Sequence, residues 1–192
     1  MIARAKQVLV MSLLAALTAT AAGTGAQVAP ATAKSYRGDS SKYESWLAKR
    51  VRHELLMLPY YSVFDNLEYR IEGDRVVLIG QVVRPSLKSD AEAVVKKIEG
   101  VRSVDNRIEV LPVSSFDDRI RLAVYRHIYS DTVLQRYALP PVPSIHIIVN
   151  GGHVTLEGVA ANEADRNIAN IRANEVPGVF SVTNHLRVEK KG

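Results

Sequence analysis

The stretch Leu67 to Val110, LEYRIEGDRVVLIGQVVRPSLKSDAEAVVKKIEGVRSVDNRIEV, returns as a recognisable copy without a gap at Ile145 to Val188, IHIIVNGGHVTLEGVAANEADRNIANIRANEVPGVFSVTNHLRV. Gly73 and Gly151, Gly80 and Gly158, and Gly100 and Gly178 each stand 78 positions apart, as do Val76 and Val154, Leu78 and Leu156, Val104 and Val182, and Asn106 and Asn184. The shared positions are mostly glycines and aliphatic residues, the requirements of a common fold. Almost none could carry catalysis, so the repeat specifies an architecture and no activity.

Within the stretch, Leu67, Tyr69 and Ile71 alternate with Glu68, Arg70 and Glu72. A period of two gives a strand with one buried and one wet face. Gly73-Asp74 supplies the positive backbone angles of a hairpin turn, and Arg75 to Val83 returns as a second strand containing Gly80. After Pro85, the residues Leu87, Ala91, Val94, Val95 and Ile98 mark an amphipathic helix closed by Gly100. Val101 to Val110 reads as a third strand with Val104, Ile108 and Val110 inward.

Upstream, Leu47, Val51, Leu55 and Leu58 share one face of a helix predicted over Lys42 to Leu58 and ended by Pro59. The order helix, strand, strand, helix, strand, with one-sided helices, predicts an α+β sandwich. Ile120, Val124 and Ile128 repeat Leu47, Val51 and Leu55 at an offset of 73, so the second copy gains five residues before its first strand. The proline-rich Tyr137 to Ser144 is expected to absorb them as a loop. Ser115 or Asp117 is expected to cap that helix, and a closing helix over about Asn162 to Glu175 carries Ile168 and Ile171. Two modules follow, over 42–112 and 113–192, and modules this small are expected to lean on one another.

Met1 to about Ala26 has the form of a secretory leader: Arg4 and Lys6, an apolar run from Val8 to Leu17, then small residues. Cleavage at Ala22, Ala26 or near Ala33 would fit, and a retained anchor helix is the alternative. The run is short for a membrane span, so no span is expected after cleavage. Residues 27–41 are small, polar and without period, and read as a disordered lead-in.

The chain has no cysteine, which excludes thiol chemistry, disulfides, Cys-ligated zinc and lipid attachment of the lipoprotein kind. Its formal charge of +5 falls to about +3 without the leader, and basic residues alternate with acids, as in Lys88, Asp90, Glu92 and Lys96. That pattern is a solvated helix face, not a nucleic-acid stripe. None of the five histidines stands in a catalytic or metal-binding motif, so no enzyme, cofactor or metal is expected. Alternation places His146 and His153 on the wet side of one hairpin, where His146 would meet His185 only if their strands were neighbours. His127 flanks the apolar face of its helix.

Two stripes remain for binding. Tyr43, Trp46 and Arg50 run beside the core face of the first helix, and Leu122, Tyr125 and Tyr129, edged by Arg121 and Arg126, run beside that of the second-module helix. Either they contact a membrane or partner surface, or Tyr43 and Trp46 cap the edge of their core or pack on the other module, with the two helices docked on each other.

These modules resemble the BON domain, a small module of bacterial envelope proteins named for an osmotically inducible periplasmic protein and for nodulation proteins. The likeness rests on the αββαβ order, on V-x-L-x-G-x-V at Val76 to Val82, and on G-V-x-x-V-x-N at Gly100 to Asn106. Module two repeats them as Val154 to Ala160 and Gly178 to Asn184, with Ala160 in place of the final Val. The resemblance implies a periplasmic, non-enzymatic protein that binds phospholipid or envelope-protein surfaces, in some relatives under envelope stress. A periplasmic chaperone or assembly module, and a small-ligand or ion-binding module, stand as alternatives.

Overall fold

The computed structural model describes residues 40–189. The leader expected over 1–26 and nearly all of the lead-in lie outside them. Helix α1 runs from Ser40 to Leu56, and its last turn tightens as the Leu58 amide bonds the Leu55 carbonyl before Pro59. Strands β1 (Asn66–Glu72) and β2 (Arg75–Val82) pair antiparallel with Tyr69 opposite Leu78. Helix α2 (Pro85–Lys96) crosses over to β3 (Ser103–Asn106) and β4 (Glu109–Val110), both parallel to β2. The sheet is therefore mixed, with β2 central.

The single third strand expected over 101–110 is broken in two. Asn106 causes the break: its amide nitrogen donates to the Lys88 carbonyl on α2 while its oxygen accepts the Ile108 amide. The chain then dips, burying Ile108 and Leu111 and leaving Val110 exposed, contrary to its expected inward position. Asn184 makes the same pair of bonds, to Arg166 on the second helix and from Leu186. The repeated asparagines are thus the clasps that tie each crossover helix to its sheet.

Module two follows the same plan with α3 (Ser115–Tyr129), a short 3-10 helix (Leu134–Ala138), β5 (Ile145–Asn150), β6 (His153–Ala160), α4 (Glu163–Asn174), β7 (Ser181–Asn184) and β8 (Arg187–Val188). β5 lies antiparallel to β6, and β7 and β8 lie parallel to it. The fold is α+β, two tandem αββαβ sandwiches.

Asp117 serves another end than helix capping. Ser114, one residue before the expected candidates, caps α3 by accepting the Asp117 amide. Asp117 is buried and its carboxylate receives the amides of Gly151 and Gly152, pinning the helix start to the β5–β6 turn. Charge-assisted bonds of this kind are the strong ones. Asp117→Ala leaves two amides without an acceptor and is expected to lower the stability of module two by about 2–3 kcal/mol, measurable by urea unfolding.

Tyr137 belongs to structure, not to the expected loop. It is buried, its hydroxyl donates to Asp165 and accepts the Ala161 amide. On α4, Ala169 and Ala173 face the core while Ile171 is exposed. Each module has its own apolar core, around Leu47, Val51, Val76, Leu78 and Leu87 in module one and around Ile120, Val124, Ile147, Val154 and Leu156 in module two. The loop between α1 and β1 breaks that division: Val63 is buried in the core of module two, and Phe64 packs against it.

The joint is accordingly a loop plugged into a neighbour, and the leading helices are not packed along one another. The Ile147 amide donates to the Val63 carbonyl at 2.8 Å, extending the outer side of β5. Phe64 meets Tyr125 edge-on at 6.1 Å, and Tyr61 stacks on His146 at 5.6 Å.

Candidate functional site

The two stripes expected to face a surface have different fates. In α1, Tyr43 and Trp46 are half-buried against the core of module one, their rings 6.2 Å apart, and the Tyr43 hydroxyl donates to the Gly100 carbonyl. Arg50 is exposed and lies 3.3 Å from Glu54 one turn on. The aromatic pair thus seals the edge of its own module.

In α3, Arg121 is only 3% exposed and spends its guanidinium on Asp118 and on the Val149 carbonyl at 2.7 Å. Tyr129 is buried with its hydroxyl donating to the Ile145 carbonyl, and burial pushes its phenol above the ordinary range. Neither can reach a surface without abandoning a buried partner. Arg121 stands three residues before Val124 and seven before Ile128, the spacing of the core face itself, and that spacing was the available signal. Tyr125 is half-buried, its ring 4.8 Å from that of Tyr129 and packed under Phe64.

Leu122 and Arg126 remain outside, Leu122 at 48% exposure. They belong to a line that the stripe reading missed: Phe116, Arg119, Leu122 and Arg126, at spacings of three, three and four, form the outer face of α3. The acid beside this line, the exposed Asp118 one turn before Leu122, is paired with Arg121. Phe116 is 37% exposed with the Arg119 guanidinium 6.0 Å from its ring centre. Phe180, 67% exposed, leans on Phe116 at 5.9 Å and on His153 at 5.8 Å.

Phe180 can lie there because Gly152 has no side chain: a Cβ at that position would come within 2.7 Å of the Phe180 ring. Module one has Asp74 and Arg102 at the matching positions, joined as an exposed ion pair at 3.1 Å. An ion pair in one module is an apolar wedge in the other, so the two ends have different surface chemistry.

The remaining candidates offer less. A polar cleft of about 370 Å³ lies between the end of α3 and α4, lined by Arg126, His127, Ser130, Asp131, Arg172 and Glu175. Its charges are largely matched: Arg172 bonds Asp131 at 2.9 Å and Glu175 at 3.0 Å. The Val133 amide and Arg172 hold the Asp131 carboxyl below its usual range. His153 shares a hydrogen bond with Ser181, and His185 lies 2.7 Å from Glu157, both on the open face of the second sheet.

His146 departs from the wet position expected of it, since the docked loop of module one covers that face and leaves it 7% exposed. It does not meet His185, because β7 lies on the far side of β6. Among the described residues no group of metal-ligating side chains is assembled, and no helix is long and apolar enough to cross a membrane.

No curated protein matches the chain. Among solved structures, CdsD, a structural protein of the type III secretion system of Chlamydia trachomatis, aligns at 12% identity over 75% of this chain and 92% of its own, with a TM-score of 0.30. The C-terminal domain of CdsD aligns at 13% identity over 75% of this chain and 98% of its own, with a TM-score of 0.27. The BON domain family model matches residues 43–112 and again residues 117–190. One match falls on each αββαβ sandwich and together they span well over half of the chain, so this protein belongs to the BON-domain family.

Proposed function

We propose that this protein is a non-enzymatic component of the bacterial envelope, exported to the periplasm, that attaches reversibly to anionic phospholipid surfaces through the outer face of α3. The observation that carries this reading is the line Phe116, Arg119, Leu122 and Arg126, which sets an exposed leucine between two guanidinium groups and an exposed phenylalanine beside the first, while the neighbouring Asp118 is paired with Arg121. Apolar side chains that enter the headgroup region, flanked by cations that meet its phosphates, give peripheral binding. Phe180 widens the apolar end of the line. Leu122 and Arg126 of the original stripe take part directly, and Tyr125 underlies them. Tyr43, Trp46, Arg121 and Tyr129 support the modules from inside. Membership of the BON family favours an envelope surface over other anionic ones, and the leader expected over Met1 to Ala26 favours export.

Each cation beside an anionic surface adds about 1 kcal/mol, so the two arginines together supply roughly 30-fold in affinity. Flotation with vesicles rich in an anionic phospholipid is expected to carry the protein, and purely zwitterionic vesicles are expected to leave it behind. Arg119→Gln with Arg126→Gln should lower binding about 30-fold. Raising salt from 0.1 M to 1 M, which shortens screening from about 10 Å to about 3 Å, should release most of the native protein. Equal flotation of the native and doubly substituted proteins would remove α3 from the binding face. Absence of flotation on every vesicle would favour an envelope protein as the partner instead.

A further inference from the structure

The joint between the modules contains a titratable ring that neither the fold nor the proposed binding face requires. β5 is the edge strand of its sheet, and an edge presents unpaired amides and carbonyls along its outer side. Here the segment from Tyr61 to Asp65 occupies that side, through the bond from the Ile147 amide to the Val63 carbonyl and through the buried Val63 side chain. The segment is held to module one by Asp65, whose carboxylate accepts the Ser62 amide, the Ser62 hydroxyl and, at 2.8 Å, the Val83 amide. Module one thus presents a stiff hook, and module two receives it.

His146 lies under the hook. Its ring stacks on that of Tyr61 with the planes 20° apart, and its Nδ1 is buried with no hydrogen-bond partner. The main-chain carbonyls of Ser62 and Asp65 also lie near the ring and favour a proton on it. A neutral imidazole, with no proton on the unpartnered Nδ1, suits this pocket. A second proton, on Nδ1, would place a charged donor where nothing accepts it.

We propose that the joint is an acid-released latch: Val63 stays seated in module two only while the His146 ring is neutral, and protonation of His146 lets the hook lift away.

The groups facing the ring act in both directions. From the hook, Asp65 favours the charged ring, as does Glu68 of β1; Tyr61 stays neutral, its phenol pushed up to about 12 by burial, with the charge of Arg52 on α1 opposing weakly. From β6, Glu157 stands directly across from His146, although its carboxylate is engaged by His185. Burial is the largest influence; it outweighs the Asp65 and Ser62 main-chain carbonyls and these carboxylates, all of which favour the charged ring, and moves it below its ordinary value of 6.5. The sign follows from linkage. A base whose value is depressed when docked stabilises docking fully above 6.5, and that contribution falls as the pH drops toward the docked value. Between the two values the ratio of open to docked forms rises by about tenfold per pH unit.

The Ile147 amide reports on the latch, because its acceptor belongs to the other module. Its hydrogen-exchange protection, corrected for the intrinsic pH dependence of exchange, is expected to be constant above pH 7 and to fall by about tenfold per unit below 6.5. The ladder amides between β5 and β6 should keep their protection. In His146→Gln and His146→Phe the protection of Ile147 should no longer depend on pH. Protection of Ile147 that is the same at pH 7.5 and pH 5 in the native protein overturns the proposal. So does an equal acid loss in either variant that keeps its ladder protected, which would assign the titration to Asp65, Glu68 or Glu157. Should both variants unfold, titration of the His146 ring followed by NMR in the native protein decides: onset of Ile147 exchange must track the charging of that ring, and a mismatch sinks the latch.

Discussion

Gly158→Ala is expected to lower the stability of module two by about 4 kcal/mol, most of what a module of this size has to lose. A Cβ built on Gly158 would lie 2.1 Å from the Ser144 carbonyl oxygen, and the residue has a φ of +108°. Holding a non-glycine residue in such a backbone region costs about 1–3 kcal/mol. The clash adds to this, because both partners are main chain and no rotamer change relieves it. The nearest escape is to part β5 from β6 at its start, which breaks the bond from the Val159 amide to Ser144 and strands a polar group for about 1–3 kcal/mol more. Gly80→Ala should do the same to module one, where the oxygen is that of Asn66, also at 2.1 Å, and φ is +119°. Gly73→Ala is the control: it has positive φ but open space around it, and should cost only about 1 kcal/mol. Urea unfolding of the three variants checks the order, and a Gly158→Ala protein within about 1 kcal/mol of native would mean that the strands do not approach so closely.

That glycine also shows how far the sequence could be read. Its recurrence at an offset of 78 marked it as structural, and alternation and helical spacing located the elements to within about two residues at most ends. Such patterns report which side of an element is apolar. They do not report what later covers the polar side. Alternation with Ile145 and Ile147 points His146 to water, yet the loop around Val63, 83 residues earlier, closes over it. The charge of Arg121 suggests a surface cation, although its spacing from Val124 and Ile128 puts it on the core face.

The asparagine clasps were visible as a repeat but not as a mechanism, since the carbonyls they bond lie across a crossover. The outer line of α3 is inconspicuous in the sequence for a related reason. Its members alternate in type, Phe, Arg, Leu, Arg, and no apolar periodicity draws attention to them. Their common face becomes evident once the inward face has been assigned.

Val63→Asp is expected to uncouple the modules without unfolding either by itself. Seated in module two, an aspartate there would forfeit about 1.5–2 kcal/mol of apolar burial and place an unpaired carboxylate in a core, a penalty of several kcal/mol more. The loop has a cheaper course, which is to lift out and hydrate the new charge. The loss is therefore bounded by the docking free energy. Undocking bares the Ile147 edge and removes Phe64 from Tyr125, so module two loses one wall of its core as well as a partner. A module of about 70 residues buries a modest share of its surface and has little stability in reserve. Calorimetry of the native protein should give one transition, and that of Val63→Asp two, with module two melting first. Val63→Ala should keep the joint and one transition, at a cost of about 1–2 kcal/mol, since it leaves a small cavity and no charge. Exchange of the Ile147 amide at neutral pH separates the cases: unprotected in Val63→Asp, still slowed in Val63→Ala. A single transition within a few degrees of native in Val63→Asp would show that the two cores do not depend on this plug.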